Sequence, residues 1–291
     1  MRHLLLLLAF ACASAQAAPQ VQTAHGPVEG IATASGEAWL GLPYAQQPVG
    51  PLRWKAPRPP QPWIAVRKAD AYGSPCMQMG SIYGPPPAGK PWGPDNATTF
   101  GKPVGSEDCL TLNIWKPAGE GASLPVIVFI HGGAGIAGYS ADPIYDGANL
   151  AAGARAIVVT VNFRLNIFAG FLHVSLKDGD PLDDSGNYGA LDLIAALRYV
   201  HDNIGAFGGD PANVTLMGQS AGAIAVYGLM GLPMAKGLFH KAIPLSGLIG
   251  DSSPKDKGYE YGEKFAAKLG KQRLLTAPPE EIISLLFNDE D

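Results

Sequence analysis

The sequence has few cysteines, little charge and no basic segment. Of its 291 residues, three are cysteine and 16% are charged, with a formal net charge of −4. A chain without a basic block or stripe lacks the usual electrostatic footprint of nucleic-acid binding, so we expect no nucleic-acid partner. The sequence also lacks a metal-ligand cluster, a phosphate-binding loop and a dinucleotide fingerprint, so we expect no cofactor and no metal.

An apolar run at the amino terminus is too short to span a bilayer. Arg2 and His3 precede the apolar residues 4–13, and small-x-small cleavage sites follow within residues 13–17. This pattern predicts a signal peptide over residues 1–17 and no transmembrane segment. Cys12 could instead be a lipoprotein cysteine, although the residues before it match a lipobox poorly. We therefore expect a periplasmic or secreted protein.

Removal of the signal peptide would leave two cysteines, Cys76 and Cys109. An even pair of cysteines in an exported chain favours one disulfide. Two free, buried thiols are the alternative.

Apolar patterning predicts several strands. Unbroken apolar runs at residues 126–130 and 156–161 are typical of strands covered on both faces, and so of a parallel or mixed sheet. Residues 107–117 alternate instead, which predicts a half-buried strand with Thr111 and Asn113 facing outward.

Helical spacing predicts helices that alternate with these strands. The predicted helices cover residues 145–152, 187–204, 255–269 and 280–287. A β-rich start and a further strand at residues 242–246 complete the pattern. This order of elements predicts an α/β fold with a mostly parallel central sheet, helices on both faces and a site at the carboxyl ends of the strands.

The most informative segment is NVTLMGQSAG, residues 213–222. It predicts a strand, a sharp turn and a helix, and its Gly218, Ser220 and Gly222 fit Gly-x-Ser-x-Gly, the nucleophile elbow. In such an elbow the serine lies at a strained corner, and the two glycines leave space for neighbouring backbone. The pattern by itself also fits an ordinary glycine-rich turn.

A serine nucleophile also needs donors for the oxyanion that forms on the attacked carbonyl. The N–H of Ala221 is the expected first donor, and others should come from a glycine-rich loop after an earlier strand. The sequence HGGAG, residues 131–135, follows the apolar run at 126–130 and suits that position.

The chain resembles the type B carboxylesterases, the α/β-hydrolase family that includes bacterial carboxylesterases and cholinesterases. The resemblance covers about residues 41–243. It is carried by GLPYAQQPVGPLRW, EDCLTLNIWKP, PVIVFIHGGAG, VNFRLNIFAGF, GNYGALDLIAALRYVHDNIGAFGGDPANVTLMGQSAG and GLFHKAI, in family order.

The resemblance implies a role for each matching residue. Ser220 would be the acyl-forming nucleophile, in an elbow with Gly218, Gln219 and Gly222. The oxyanion-hole N–H groups would belong to Gly133, Ala134 and Ala221. Cys76 and Cys109 would form the family's N-terminal disulfide. The structural ion pairs would join Arg53 to Glu107 and Arg164 to Asp192.

Three departures from the family pattern affect the expected function. Gln219 replaces a glutamate found in many members, which argues against cationic choline esters. Gly135 replaces a common aromatic residue, which should open the acyl side of the pocket. The third departure is that the family's acid and base lie far downstream of the elbow, whereas this sequence has 71 residues after Ser220.

None of the histidines occupies the position of the family's base. These are His3, His25, His131, His173, His201 and His240. Asp251, after a predicted strand, is a weak candidate for the acid. We therefore expect residues 18–291 to be the N-terminal part of one α/β-hydrolase domain, with the C-terminal part missing and with little turnover by itself.

The expected function is an exported serine hydrolase acting on small carboxylic esters through an acyl-enzyme. A non-catalytic, cholinesterase-like binding domain is the alternative from another class, although such relatives typically lose the serine or oxyanion residues that this chain keeps. Amides or lactones are alternative substrates for the same machinery.

Overall fold

The computed structural model describes residues 17–87, 90–119, 121–249 and 253–288. The predicted signal peptide, except for residue 17, lies outside the described residues, as do His3 and Asp251. No helix in the described ranges is both long and apolar enough to cross a membrane.

The chain alternates between strands and helices. The strands are β1 Gln20–Thr23, β2 Gly26–Glu29, β3 Ile31–Thr33, β4 Gly36–Pro43, β5 Arg67–Lys68, β6 Gln78–Met79, β7 Pro103–Val104, β8 Thr111–Pro117, β9 Leu124–Ile130, β10 Ile157–Val161, β11 Gly209–Gln219 and β12 Lys241–Leu245. The α-helices are α1 Gly147–Ala154, α2 Asn166–Ala169, α3 Tyr188–Asn203, α4 Ala221–Gly231, α5 Lys255–Leu269 and α6 Pro279–Phe287. The helices and strands predicted from the sequence are present, with ends shifted by a few residues.

Seven strands form the central sheet, in the order β12-β11-β9-β10-β8-β4-β3. The pairs β10/β9, β9/β11 and β11/β12 are parallel. The pairs β10/β8, β8/β4 and β4/β3 are antiparallel. The sheet is therefore mixed, and its parallel part carries the carboxyl ends at which ligands of α/β folds bind.

Successive residues of the inner strands face two different cores. Val159 and Ile114 belong to the large core, in which α3 and α4 pack against the sheet. Their neighbours Val158 and Trp115 belong to a smaller core on the other face, which α1 covers. Because side chains alternate across a strand, this arrangement requires helices on both faces, as the sequence predicts.

The prediction that β8 is half-buried is wrong. Thr111 and Asn113 were expected to face outward, but both are buried. The Asn113 amide accepts the N–H of Gly41 at 2.9 Å and donates to the hydroxyls of Ser140 and Thr160 at 3.1 and 3.0 Å. Strand β8 tolerates the Asn113 amide on a covered face because these contacts satisfy it.

Apolar side chains lie exposed beside the edge strand β12. Ile243 and Leu245 on the strand are partly exposed, and Leu248 and Ile249 just after it are about four-fifths exposed, at 80% and 82%. Pro244 lacks the backbone N–H that a central strand would need. It is compatible with β12 because this strand lies at the edge of the sheet.

Candidate active site

Ser220 lies at the corner between β11 and α4. Its φ and ψ are 54° and −120°, a region that residues other than glycine rarely occupy. Two backbone hydrogen bonds fix the corner: the Ser220 N–H donates to the Leu245 carbonyl at 2.8 Å, and the Ser220 carbonyl accepts the N–H of Ile224 at 3.0 Å. Strand pairing and the first helical turn thus hold the serine in a strained conformation.

Close backbone contacts explain the two glycines that flank Ser220. A Cβ on Gly218 would lie 2.4 Å from the carbonyl oxygen of Gly222. A Cβ on Gly222 would lie 2.2 Å from the carbonyl oxygen of Ile130, at the end of β9. Only glycine permits both approaches, so α4 starts directly against the sheet.

A loop over residues 132–138 leaves β9 and lies against this corner. A Cβ on Gly132 would be 3.2 Å from the Cβ of Ser220 and 2.8 Å from the carbonyl oxygen of Gln219. Among the described residues, no protein acceptor receives the backbone N–H groups of Gly133, Ala134 or Ala221. Unpaired N–H groups on a loop that lies against the half-buried Ser220 suit a developing negative charge.

The loop keeps its shape through unusual backbone angles. Positive φ values occur at Gly133 (109°), Ala134 (57°), Gly135 (71°) and Gly138 (108°). At Gly133 an added Cβ would lie 2.1 Å from the Ala137 carbonyl oxygen, so this position requires glycine. Inside the loop, the Gly133 carbonyl accepts the N–H groups of Ile136 and Ala137, both at 3.0 Å.

His131 braces the start of the loop. Its Nδ1 donates to the Gly132 carbonyl at 2.8 Å, and its ring stacks on Phe163 with centroids 4.7 Å apart. Burial lowers the pKa of His131 to about 4, although the hydrogen bond to Gly132 acts in the other direction. A neutral, fully buried imidazole with Nδ1 bound to backbone is a structural support.

The other described histidines belong to other parts of the fold. His240 precedes β12, where its Nδ1 accepts the N–H of Val214 at 3.2 Å. Val214 and Ser220 are six positions apart along the strand, roughly 20 Å at about 3.3 Å per residue. His173 contacts Glu263 at 3.3 Å and His201 contacts Asp202 at 2.8 Å. Within the described ranges, no side chain is hydrogen-bonded to the Ser220 hydroxyl.

The disulfide implied by the resemblance is present and joins Cys76 to Cys109, both buried. It attaches the segment before β6 to the segment that leads into β8. The disulfide prediction is therefore confirmed.

Both ion pairs implied by the resemblance are also present. Arg53 binds Glu107 with two bonds of 2.6 and 2.5 Å. Arg164 binds Asp192 with two bonds of 2.8 and 2.7 Å. Burial works against the Arg164 charge, but the Asp192 carboxylate outweighs it and raises the pKa of Arg164.

The sequence reasoning missed three amide side chains behind the loop. Gln78, Asn162 and Asn166 connect residues 74–78 with residues 135–140. The available signal was weak: Asn162 and Asn166 follow the carboxyl end of β10, and Gln78 follows Cys76 by two positions. Nothing in their spacing indicates that they meet.

The described part of the chain contains no group of three or more His, Cys, Asp or Glu side chains able to hold a metal ion. The expectation that the protein uses no cofactor remains a prediction.

A nucleophile-elbow corner on a mixed sheet, with helices on both faces, defines an α/β-hydrolase fold. The sequence profile of the Carboxylesterase family matches residues 17–286, so the chain belongs to that family.

Individual proteins that are similar to this chain are also esterases by name. Para-nitrobenzyl esterase of Bacillus subtilis (strain 168) is 45% identical over 227 residues, which are 78% of this chain and 43% of that protein. Fumonisin B1 esterase of Sphingopyxis macrogoltabida is 37% identical over 255 residues, covering 84% of this chain and 44% of that protein. A solved structure of a thermophilic PNB esterase superposes with a TM-score of 0.80 at 38% identity, over 94% of this chain and 55% of that one. The chain thus spans about half the length of the relatives it matches.

Proposed function

We propose that this chain carries the nucleophile and the oxyanion donors of a carboxylic-ester hydrolase. The observation that supports this most is the position of Ser220, at a strained corner directly against a loop whose N–H groups at Gly133 and Ala134 have no partner among the described residues. The printed names of the relatives, which are esterases, support the same reaction class.

In the proposed reaction, the Ser220 Oγ attacks the ester carbonyl carbon and its proton passes to a general base. The carbonyl oxygen becomes an oxyanion that accepts hydrogen bonds from the N–H groups of Gly133, Ala134 and Ala221. Its collapse breaks the carbon–oxygen bond, expels the alcohol, which takes the proton, and leaves an acyl group on Ser220. Water then repeats the attack and releases the acid.

The base and its acid come from outside the described residues in this proposal. His131 is bound to backbone, and His240 lies beside Val214, midway along β11. A chain that ends at residue 291, expressed by itself, should therefore show little or no turnover.

The acyl side of the pocket is open in this proposal. Gly135 borders a cavity of about 270 Å³ whose walls include Phe163, Leu193 and Leu229. A Cβ at position 135 would have no heavy atom within 4 Å, so glycine leaves this side open for a bulky acyl group. Gln219 beside the nucleophile carries no charge, which argues against selection of cationic esters.

Export is part of the same proposal. A structural disulfide persists best in an oxidising compartment. Together with the signal-peptide pattern at residues 1–17, the Cys76–Cys109 bond supports a periplasmic or secreted protein.

The decisive test is labelling of the intact protein with a fluorophosphonate probe, combined with assays on ester, amide and lactone substrates. We expect labelling and ester hydrolysis that Ser220→Ala abolishes. Ser246→Ala is the matched control, because Ser246 also has a positive φ, 55°, after the neighbouring strand. An intact protein that is neither labelled nor active would favour the non-catalytic binding domain.

A further inference from the structure

The candidate oxyanion loop is tied at its far end to the segment that carries the disulfide. Gln78 is fully buried, and its side-chain amide contacts both backbone groups of Gly138. Its Oε1 accepts the Gly138 N–H at 2.9 Å, and its Nε2 donates to the Gly138 carbonyl at 3.0 Å. The same Nε2 donates to the Cys76 carbonyl at 2.9 Å. One side chain therefore bonds to Gly138 as a neighbouring strand would.

Two asparagines extend this connection along the loop. The backbone N–H of Asn166 donates to the Gly135 carbonyl at 2.8 Å, while its side chain donates to the Met77 carbonyl at 2.8 Å. Asn162 accepts the Ser140 N–H at 2.7 Å and donates to the carbonyl of residue 74 at 3.0 Å. Two amide side chains, those of Gln78 and Asn162, together with the backbone and side chain of Asn166, thus join residues 74–78 to residues 135–140.

The 74–78 segment is itself firmly held. The disulfide attaches Cys76 to Cys109, two residues before β8 in the middle of the sheet. The carbonyl of Pro75 also accepts the N–H of Ser106 at 2.9 Å. The segment therefore gives the loop a fixed external support.

The loop needs such a support because its own bonds are few. Four of the six residues 133–138 have positive φ, including Ala134, for which this conformation is unfavourable. The internal bonds of residues 133–138 all converge on one carbonyl, that of Gly133. Conformations of this kind persist only where surrounding structure determines them, and here the Gln78 amide is the buried group that holds both backbone polar groups of Gly138.

We propose that Gln78 is a positioning residue for the oxyanion hole: through Gly138 it orients the N–H groups of Gly133 and Ala134 toward the carbonyl attacked by Ser220. This inference rests on the proposed function. It assigns a catalytic consequence to a side chain that does not touch the substrate, and it places the disulfide behind the same loop.

The first test is amide hydrogen exchange, which does not require activity. Gln78→Met has a similar length but makes no amide hydrogen bonds. We expect exchange within residues 133–138 to accelerate about tenfold or more, while the amides of β9 and β11 keep their rates. Gln46→Met is the matched control, since the Gln46 amide donates at 3.0 Å to Pro59, in a different loop. Unchanged exchange in residues 133–138 would overturn the inference.

The second test separates kcat from KM in the intact protein. Oxyanion donors act mainly in the transition state, so we expect Gln78→Met to lower kcat roughly ten- to a hundredfold with little change in KM. Gln78→Glu keeps an acceptor for the Gly138 N–H, and burial against two carbonyl oxygens favours the protonated carboxyl, which can donate one bond in place of two. Its kcat should therefore fall between wild type and Gln78→Met.

The outcomes distinguish this inference from the proposed function. An inactive wild-type protein would contradict the proposed function, while the exchange result would still decide whether Gln78 holds the loop. The positioning role would be refuted if the wild type is active and Gln78→Met has an unchanged kcat, including the case in which only its KM is raised. If Gln78→Met does not fold, Gln78→Glu decides by the same two criteria.

Discussion

Removing the carboxylate of Asp192 should destabilise the protein strongly. Asp192 has no exposed side-chain surface and Arg164 is 3% exposed. Asp192 accepts both bonds from the Arg164 guanidinium and also its backbone N–H at 3.1 Å. The third guanidinium nitrogen, Nη1, is buried without a hydrogen-bond partner within the described part of the chain. Asp192 is thus the only described side chain that hydrogen-bonds this buried cation.

The substitution Asp192→Asn keeps the shape of the side chain but leaves the guanidinium charge uncompensated. Breaking a buried ion pair in this way typically costs about 3–5 kcal/mol of unfolding free energy. The free energy can be measured by urea denaturation followed by tryptophan fluorescence.

A surface pair provides the matched control. Arg273 and Glu281 have the same two-bond geometry, at 2.8 and 2.6 Å, but their side chains are 43% and 42% exposed. Water replaces the lost contacts there, so Glu281→Gln should leave the urea midpoint almost unchanged.

The double variant Arg164→Met/Asp192→Leu tests whether the uncompensated buried charge is what destabilises Asp192→Asn. It removes both charges and fills the volume with apolar atoms, so it should be more stable than Asp192→Asn alone. The reasoning would be refuted if Asp192→Asn were as mild as Glu281→Gln, or if the double variant were the least stable of the three.

Two further predictions concern the candidate site. The pKa of His131 is about 4 in the folded state and about 6.5 when unfolded. The unfolded state therefore takes up the proton first as the pH falls. The neutral, buried imidazole therefore contributes about 3 kcal/mol to the free energy of unfolding above pH 6.5, and this contribution is lost as the pH falls from 6.5 to 4. His131→Phe should remove this pH-dependent contribution. Parallel curves of unfolding free energy against pH for the two proteins would contradict the argument. Ser220→Gly should raise the unfolding free energy by about 1 kcal/mol, because glycine adopts φ 54° with little strain while adding some unfolded-state entropy. Thermal denaturation against Ser220→Ala is the measurement, and equal stability of the two variants would disprove the strain argument.

Some features of the protein were determined by local sequence. The unbroken apolar run at residues 126–130 forms β9, and the spacing of Leu191, Ile194 and Leu197 forms the buried face of α3. The Gly-x-Ser-x-Gly pattern likewise produces the strand–turn–helix corner at Ser220. These features follow from backbone conformation and side-chain periodicity, which involve residues close together in the chain.

Other features depended on contacts between distant residues. The alternating pattern predicts that Asn113 faces outward, yet it is buried, with its amide bonded to Gly41, Ser140 and Thr160 from other parts of the chain. The resemblance predicts the pairing of Arg53 with Glu107. It does not predict the two further bonds of Arg53, both 2.9 Å, which reach the carbonyls of Leu274 and Ala277 more than 200 positions away. No local pattern encodes such a partner.

The support behind the candidate oxyanion loop shows the same division. The glycines of residues 132–138 mark a loop with special backbone angles, and the cysteines mark a disulfide. That Gln78 lies between them, with its amide on Gly138, is decided by where β6 and the loop after β9 meet in space. A buried amide is specified by the polar groups around it, and those groups come together only when the chain folds.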